Sequence, residues 1–269
     1  MLNNKLKKIS GYANTNFVNS YEIYAEDIGN IKNIIKYAKD NKFSICSKGG
    51  GNSYGDIITN KDNIVINFSK FNKILNYDQE KGFITIEPGV TIAKIIETIF
   101  INNWIISANP GSFDVTIGGA ISNNIHGKDS HSKGNFISNV FSMEVLLESG
   151  NILKCSRKEN IELFNIINGG MGLVGIVTQV TLQLTKVQSQ YVESKNYTAK
   201  NINEIIDIFE SKRNKYDFMV AWIDAFAKRN SIGRGFVNCG KWSSKNKNNI
   251  KKIKLSKFKK IFNLFPKTF

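Results

Sequence analysis

The sequence predicts an α+β fold with two domains, and three features of the chain support this. Segments typical of strands and segments typical of helices are mixed along the 269 residues, without the strict alternation that a doubly wound parallel sheet requires. The hydrophobic content of 41% is sufficient for a full core. The pattern changes after about residue 186, so we expect residues 1–187 and residues 188–269 to form separate domains.

The first part of the chain contains one strong helix signal and several short strands. Asp27 precedes apolar residues at helical spacing over residues 28–38, which predicts an N-capped helix. The segment FSIC predicts a strand that leads into the glycine-rich segment SKGGGNSYGD. NIVINF and GFITIE are also typical of strands, and residues 91–102 have a helical pattern.

The elements that follow are a hairpin, a short helix and further strands. VFSMEVLLESGNILKCS predicts a hairpin that turns at Ser149 and Gly150, and NIELFNIIN predicts a short helix. VGIVTQVTLQLT predicts a long strand. Beyond residue 186, INEIIDIFE predicts a helix and YDFMVAWIDAF predicts a strand.

The net charge of +15 is concentrated at the end of the sequence. Residues 241–269 contain ten lysines and no acidic residue, and Leu255, Phe258, Phe262 and Phe265 follow near-helical spacing among them. This pattern could form a helix on a membrane surface, but solvated lysines of the second domain are the interpretation that the sequence favours. The main body carries little excess charge, so nucleic acid is not an expected partner.

The cysteines indicate a reducing compartment, and the apolar segments predict neither a signal peptide nor a membrane span. Cys46, Cys155 and Cys239 lie far apart and form no CxxC pair, so neither a disulfide framework nor a cysteine zinc site is expected. No signal peptide is recognised after Met1, and the most apolar segment, TIAKIIETIFINNWIISA, is interrupted by charge. We expect a cytoplasmic protein, in peripheral contact with the inner face of the membrane if the lysine-rich tail binds lipid.

Two glycine-rich loops have different relations to phosphate binding. GGGNSYGD, residues 49–56, follows a predicted strand, and its successive N–H groups could form a nest for phosphate oxygens. It lacks the Gly-Lys-Ser/Thr ending of a P-loop, and a glycine-rich turn without a ligand remains an alternative. GGMGLVG, residues 169–175, matches G-x-G-x-x-G formally, but a helix precedes it and a strand follows it, which argues against a Rossmann site.

Residues 110–134, PGSFDVTIGGAISNNIHGKDSHSKG, carry both histidines of the chain. Gly118, Gly119 and Ala120 form a small-residue surface bordered by polar donors, which suits a flat heteroaromatic ring laid against the backbone. His126 and His131 are five positions apart, not at the i, i+4 spacing that shares one helix face, so no metal site is expected. His126 could equally be a hydrogen-bonded residue of a packed turn.

Four segments together resemble the FAD-dependent oxidoreductases of the vanillyl-alcohol-oxidase superfamily: SKGGGNSYGD, PGSFDVTIGGAISNNIHGKDSHS, INGGMGLVGIV and VAWIDAFAKRNSIGRG. Within that superfamily they are most similar to the branch that oxidises a polyprenyl-phosphate pentose. The resemblance implies a PCMH-type FAD-binding fold of two subdomains over residues 1–187, followed by a partial α+β substrate domain over residues 188–269. FAD would supply the redox chemistry that no side chain can.

The resemblance also implies which residues contact the cofactor and the substrate. The residues implied for FAD are Ser47, Lys48, Gly49, Gly50, Gly51, Asn52, Ser53, Tyr54, Gly55, Asp56, Gly111, Thr116, Ile117, Gly118, Gly119, Asn123, Asn124, Ile125, His126, Ile176 and Val177. Trp222 would face the substrate. Several relatives carry a histidine, covalently bonded to the flavin, in the first loop, where this chain has Asn52. FAD is therefore expected to be bound non-covalently, unless His126 is itself the covalent link, which the branch that the chain resembles argues against.

The implied reaction is oxidation of a secondary sugar hydroxyl, with hydride transfer to flavin N5. His126 is a candidate for orienting the flavin edge and, less directly, for the base; the family's proposed catalytic lysine has no counterpart in this sequence. The substrate would be a small or lipid-linked sugar of cell-wall metabolism, and a reductase partner could complete an epimerisation. A sugar-lactone oxidase, or a flavin-binding chain without turnover, are the alternatives.

Overall fold

The computed structural model describes residues 6–244. The lysine-rich tail with Leu255 and Phe258 lies outside this range. The strands are β1 (Lys7–Ser10), β2 (Phe17–Tyr24), β3 (Ile45–Lys48), β4 (Ile64–Asn67), β5 (Ile74–Asp78), β6 (Phe83–Ile86), β7 (Trp104–Ile105), β8 (Val140–Leu146), β9 (Ile152–Ser156), β10 (Ile176–Gln183), β11 (Thr185–Lys186), β12 (Val192–Ala199), β13 (Phe218–Ile223) and β14 (Gly235–Trp242). The α-helices are α1 (Ile28–Asp40), α2 (Ile92–Ile99), α3 (Ile117–Ser122), α4 (Ser130–Lys133), α5 (Ile161–Ile167) and α6 (Ile202–Lys212). These elements confirm the predicted α+β class.

The first sheet has the strand order β1-β2-β4-β3, in which β2 and β3 both run parallel to β4. Helix α1 connects β2 with β3 and buries Ile31 and Ile34 in the same apolar cluster as the strand residues Ile64 and Ile66. As predicted, the Asp27 side chain begins this helix by accepting a hydrogen bond from the Asn30 amide at 2.7 Å. The sheet thereby delivers the end of β3 directly into the first glycine loop.

The second sheet is antiparallel, with the order β5-β6-β10-β8-β9. Helices α2, α3 and α5 contribute to the largest apolar cluster, in which Ile84, Ile95 and Ile117 are fully buried. Each such isoleucine contributes about 1.5–3 kcal/mol through burial. The predicted hairpin is formed by β8 and β9, and the predicted long strand is β10.

The helix expected over residues 91–102 ends earlier than the pattern suggested. Regular α-helix stops at Ile99 and continues as a 3₁₀ turn over Phe100–Asn102. Asn103 ends the turn because its backbone adopts a left-handed conformation, with φ of 59°. The early stop allows Trp104 to enter the short strand β7.

The third sheet has the order β12-β14-β13 and carries α6 on one face. Its small separate core contains Ala199, Ile205, Met219, Val237 and Cys239. The expected boundary between residues 187 and 188 falls between β11, which pairs with β7, and β12 of this sheet. We call β12, β13 and β14 the cap sheet.

Candidate functional site

A cavity of about 570 Å³ is lined by residues from both larger sheets and by three glycine-containing segments. The first segment follows β3, the second surrounds the start of α3, and the third leads into β10. The lining residues are Ser47, Gly49, Gly50, Gly51, Asn52, Ser53, Tyr54, Gly55, Asp56, Ile57, Ile58, Phe68, Pro88, Val115, Thr116, Gly118, Gly119, Ser122, Asn123, Ile125, Met171, Gly172, Gly175, Ile176 and Val177. The segments that the sequence singled out therefore meet at one place.

The first glycine loop lines the cavity and has unused backbone donors. The main-chain N–H groups of residues 50–56 donate no hydrogen bond to any other residue between 6 and 244. The loop is nevertheless anchored, because the Tyr12 amide donates to the Ser53 carbonyl at 2.7 Å and the Thr59 amide donates to Asp56 at 2.8 Å. An anchored run of free amides is the arrangement that binds phosphate oxygens.

Gly49 and Gly50 are required by packing between the first two segments. A Cβ at Gly49 would collide with Thr116 Oγ1, and a Cβ at Gly50 would collide with the carbonyl oxygen of Asp114. Gly51 has a φ of +72°, which favours glycine for a conformational reason. The loop therefore approaches α3 more closely than side chains would permit.

The bend near Gly118 carries the small-residue surface that the sequence suggested for a flat ring, but two of its amides are already used. The Gly118 amide donates to the Pro88 carbonyl at 2.8 Å, and the Ile117 amide donates to the Val90 carbonyl at 2.9 Å. A Cβ at Gly118 would lie 3.0 Å from Pro88 Cβ, so this glycine is needed for packing on Pro88. The bend therefore offers a surface without bulky side chains, and its amides are not free donors.

The third segment forms a wall held by the end of α3. The Met171 amide donates to the Ser122 carbonyl at 3.0 Å, and Gly172 adopts a φ of +78°. A Cβ at Gly175 would lie 2.7 Å from Val145 Cγ1, which explains a glycine where the chain passes β8. Met171, Gly172 and Gly175 were not among the predicted site residues, although their loop carried a signal in its glycines. The apolar lining residues Ile57, Ile58, Phe68, Pro88 and Val115, together with Ser122, carried none.

Sixteen of the residues implied for FAD line the cavity, and five do not. Lys48 donates to Glu22 Oε1 at 3.0 Å, which engages its ammonium elsewhere. Ile117 is fully buried in the core, and Gly111 lies in an exposed turn. Asn124 follows α3 with a φ of 40°, and His126 is exposed, with no hydrogen bond from its imidazole to another residue of the described range.

The structure places the two histidines in different surroundings. Whereas His126 faces solvent, His131 Nε2 lies 3.0 Å from the carbonyl oxygen of Tyr216, two residues before β13 begins. Trp222, the residue implied for substrate, lies on β13 with 63% of its surface exposed. It does not line the main cavity but borders a shallower one with Arg234 and Phe236 on the cap sheet.

Glu22 stabilises the strand that leads into the first loop. Its carboxylate accepts hydrogen bonds from Asn67 at 2.7 Å, Lys48 at 3.0 Å and Lys7 at 3.1 Å. Burial alone would raise the pKa of Glu22, but these three donors lower the pKa to about 2. The carboxylate is therefore ionised at neutral pH and joins β1, β2, β3 and β4.

Asn52 provides a test of whether the cavity fits a bound cofactor. Its Nδ2 is buried and has no hydrogen-bond partner among the described residues. A buried donor without a partner is costly unless a ligand supplies the acceptor. The free main-chain amides of the first loop, the unpaired side-chain amide of Asn52 and the glycine surface without bulky side chains together fit a group with a diphosphate and a flat ring.

Neither a metal nor a membrane span is indicated in the described part of the chain. Residues 6–244 contain no group of three His, Cys, Asp or Glu side chains that could hold a metal ion. None of their helices combines the length and the apolar character needed to cross a bilayer.

Comparison with known proteins identifies a matching family and several similar proteins. Residues 20–156, about half of the chain, match the family described as FAD binding domain. Decaprenylphosphoryl-beta-D-ribose oxidase of Mycolicibacterium smegmatis is 28% identical over 212 residues, which cover 78% of this chain and 46% of that protein. L-gulonolactone oxidase of Mus musculus is 24% identical over 219 residues, which cover 78% of this chain and 49% of that protein.

A solved structure, alkyldihydroxyacetonephosphate synthase, superposes with a TM-score of 0.71 at 16% identity, covering 84% of this chain and 48% of that one. The chain thus spans about half the length of the relatives that it matches.

Proposed function

The chain belongs to the FAD-binding domain family and has the PCMH-type fold, and from that premise we propose that it forms the flavin-binding part of an oxidoreductase. The proposed substrate is the secondary alcohol of a sugar of the polyprenyl-phosphate pentose type. Similarity to decaprenylphosphoryl-beta-D-ribose oxidase supports this class, as does the segment HGKDSHS.

The observation that carries the proposal is the convergence of two glycine segments on one cavity. The free amides of residues 50–56 lie on one side, and Gly118 and Gly119 lie on the other. Backbone donors suit the diphosphate of FAD, and the absence of side chains on the opposite surface leaves room for a planar ring. Asn52 Nδ2 adds a donor that the protein leaves unpaired.

The chain's own residues would position the reactants. FAD bound at this site would supply the acceptor for the hydride that leaves the alcohol carbon. The first loop would hold the diphosphate, Gly119 and Asn123 would border the ring, and the wall at Met171 would exclude water from one side. Trp222 would offer an aromatic surface to the sugar from the cap sheet.

A sugar-lactone oxidase is the second candidate, because L-gulonolactone oxidase is similar over the same share of the chain. The two candidates need the same cofactor and differ in the alcohol. They can therefore be separated by substrate alone.

The test begins with the visible spectrum of the purified chain after incubation with FAD. Flavin absorbance that is released by acid precipitation would support non-covalent FAD, whereas a folded but colourless protein would contradict the proposal. Anaerobic addition of a synthetic polyprenyl-phosphoryl ribose should bleach the flavin, while bleaching by L-gulono-1,4-lactone alone would favour the second candidate. A stable flavin that neither compound bleaches would assign the chain to flavin binding without turnover.

Gly55→Val tests the placement of the diphosphate. No atom lies within 4 Å of a Cβ at Gly55, so the new side chain should be accepted by the protein while obstructing the free amides. We expect the affinity for FAD to fall at least about tenfold, from the loss of one or more charge-assisted hydrogen bonds. Ser149→Val, at the exposed turn between β8 and β9, changes a side chain that does not line the cavity and should retain full affinity.

A further inference from the structure

Residues 127–131, here called the clamp segment, contact the core of the second sheet on one side and the cap sheet on the other. They follow directly after Asn123 and Ile125, which line the cavity. One short stretch of chain therefore connects the wall of the cavity with the sheet that carries Trp222.

The core side of the clamp segment is fixed by a buried carboxylate. Asp129 is only 5% exposed, and its two oxygens accept from the Ala108 amide at 3.0 and 3.1 Å. Ala108 is fully buried and has a left-handed backbone, with φ of 56°. Gly127 lies directly against this turn, since a Cβ there would come within 2.6 Å of the Ala108 carbonyl carbon. These contacts leave the segment little freedom to move relative to the core.

The cap side is held by two hydrogen bonds, one just before β13 and one at its second residue. His131 Nε2 contacts the Tyr216 carbonyl at 3.0 Å, and the Met219 amide donates to the Lys128 carbonyl at 2.8 Å. The Tyr216 hydroxyl is in turn 2.8 Å from the Tyr197 hydroxyl on β12, which extends the contact across the sheet. Trp222 lies three residues beyond Met219, or about 10 Å along the strand.

We propose that His131 is a positioning residue that fixes the orientation of the cap sheet relative to the cavity by holding Tyr216 against the clamp segment. The imidazole donates from Nε2 to the carbonyl, and this contact keeps the Met219 amide in register with Lys128. Any effect of this contact on the orientation of the substrate rests on the proposed function, because it requires FAD in the cavity and the sugar at Trp222. The contact between sheet and clamp segment does not depend on that assignment.

Amide hydrogen exchange at Met219 tests the proposal on the full chain. In His131→Ala, Met219 should exchange about tenfold faster, because loss of one hydrogen bond loosens the neighbouring one. In His131→Gln the side-chain amide can still donate to the Tyr216 carbonyl, so exchange at Met219 should return close to that of the parent protein. His126→Ala is the matched control: it removes the other imidazole of the same region, which is exposed, and should leave Met219 unchanged.

Two reference amides separate positioning from loss of structure. Val180 in β10 reports unfolding of the second sheet, and Val237 in the middle strand β14 reports unfolding of the cap sheet. Both should keep their exchange rates in His131→Ala. Unchanged exchange at Met219 would overturn the proposal, and so would equal acceleration at Val237, because His131 would then stabilise the cap sheet without orienting it. Failure of the chain to bind FAD would refute the proposed function and leave this exchange result intact.

Discussion

At the scale of single residues, Glu22 shows how one carboxylate prepares the first loop for a ligand. It pairs with Lys48, the residue that precedes Gly49, and with Lys7 on the edge strand β1. Its side chain is only 7% exposed, so the pair is less screened by solvent than a surface ion pair. Lys48, which the sequence implied as a cofactor contact, acts here on the conformation of the strand.

Acid should therefore destabilise the protein in a defined range of pH. The folded-state pKa of Glu22, about 2, lies below the ordinary value of 4.5, so the ionised form stabilises the fold above about pH 4.5. That stabilisation is lost as pH falls through the folded pKa. Glu22→Gln should lower the free energy of unfolding by about 2 kcal/mol at pH 7 and by much less at pH 2, as measured by urea denaturation. An equal loss at both values would show that the charge is not responsible.

Asn52 predicts opposite effects on stability and on binding. Because its buried Nδ2 has no partner, Asn52→Ala should leave the free energy of unfolding of the apoprotein unchanged or slightly higher. The same change should weaken FAD binding about fivefold, since the ligand loses a donor. Urea denaturation and fluorescence titration with FAD measure the two quantities separately.

Asn60→Ala provides the contrast. The Asn60 side chain bonds the Ser44 carbonyl, the Ile64 carbonyl and the Ser44 hydroxyl, so its loss should destabilise the fold by about 1–3 kcal/mol. If Asn52→Ala behaves in the same way, Asn52 is a structural residue and the cavity has been assigned wrongly.

At the scale of elements, the short helix α3 depends on its N-cap. Thr116 Oγ1 accepts from the Gly119 amide at 3.3 Å, and the same residue lines the cavity beside Gly49. Thr91 caps α2 in the same way, by accepting from the Lys94 amide at 3.3 Å, but it does not line the cavity. The two helices thus offer equivalent caps in different surroundings.

Replacing each cap with valine should separate folding from binding. Thr116→Val and Thr91→Val should each cost about 1 kcal/mol of unfolding free energy, because each removes one capping acceptor. Only Thr116→Val should also weaken FAD binding, measured by titration under conditions where both variants remain folded. Equal affinities would mean that the start of α3 does not contact the cofactor.

The sequence predicted the elements whose local pattern is strong and missed those that depend on distant partners. Helix α1 has both a cap and a regular apolar face, and the hairpin of β8 and β9 has a turn signal between two apolar runs. Strands β1 and β2 lack clear alternation and are supported by contacts such as Lys8 over the Phe17 ring at 4.6 Å. Strand β14 contains Gly235, which lies against the Trp222 backbone and so meets a need that no local pattern reveals.

The candidate site was predictable in part for the same reason. Glycines signalled where backbone approaches backbone, and these positions do surround the cavity. What the sequence could not indicate was which amides are already used: the Gly118 amide is bonded to Pro88, whereas those of residues 50–56 are free. Nor could it indicate that the imidazole of His131 would contact Tyr216, 85 positions away in the chain.

At the scale of the whole molecule, the cavity lies where the first two sheets meet, so a ligand that bridges them should stabilise the complete fold. A ligand present at 100 times its dissociation constant adds about 2.7 kcal/mol to the free energy of unfolding. For a chain of this size that corresponds to an increase in Tm of about 5–8 °C, which a thermal melt can follow.

The response should depend on the diphosphate. Because the free donors of residues 50–56 have no other partner in the described fold, riboflavin, which has the ring but no phosphate, should raise Tm by less than about 1 °C at the same concentration. Gly55→Val should reduce the response to FAD to about half or less, because a tenfold loss of affinity leaves about 1.4 of the 2.7 kcal/mol, while the Tm of the apoprotein stays unchanged. An equal shift with riboflavin and FAD would mean that the ring alone is bound, and that the amides of the first loop are satisfied by water rather than by the cofactor.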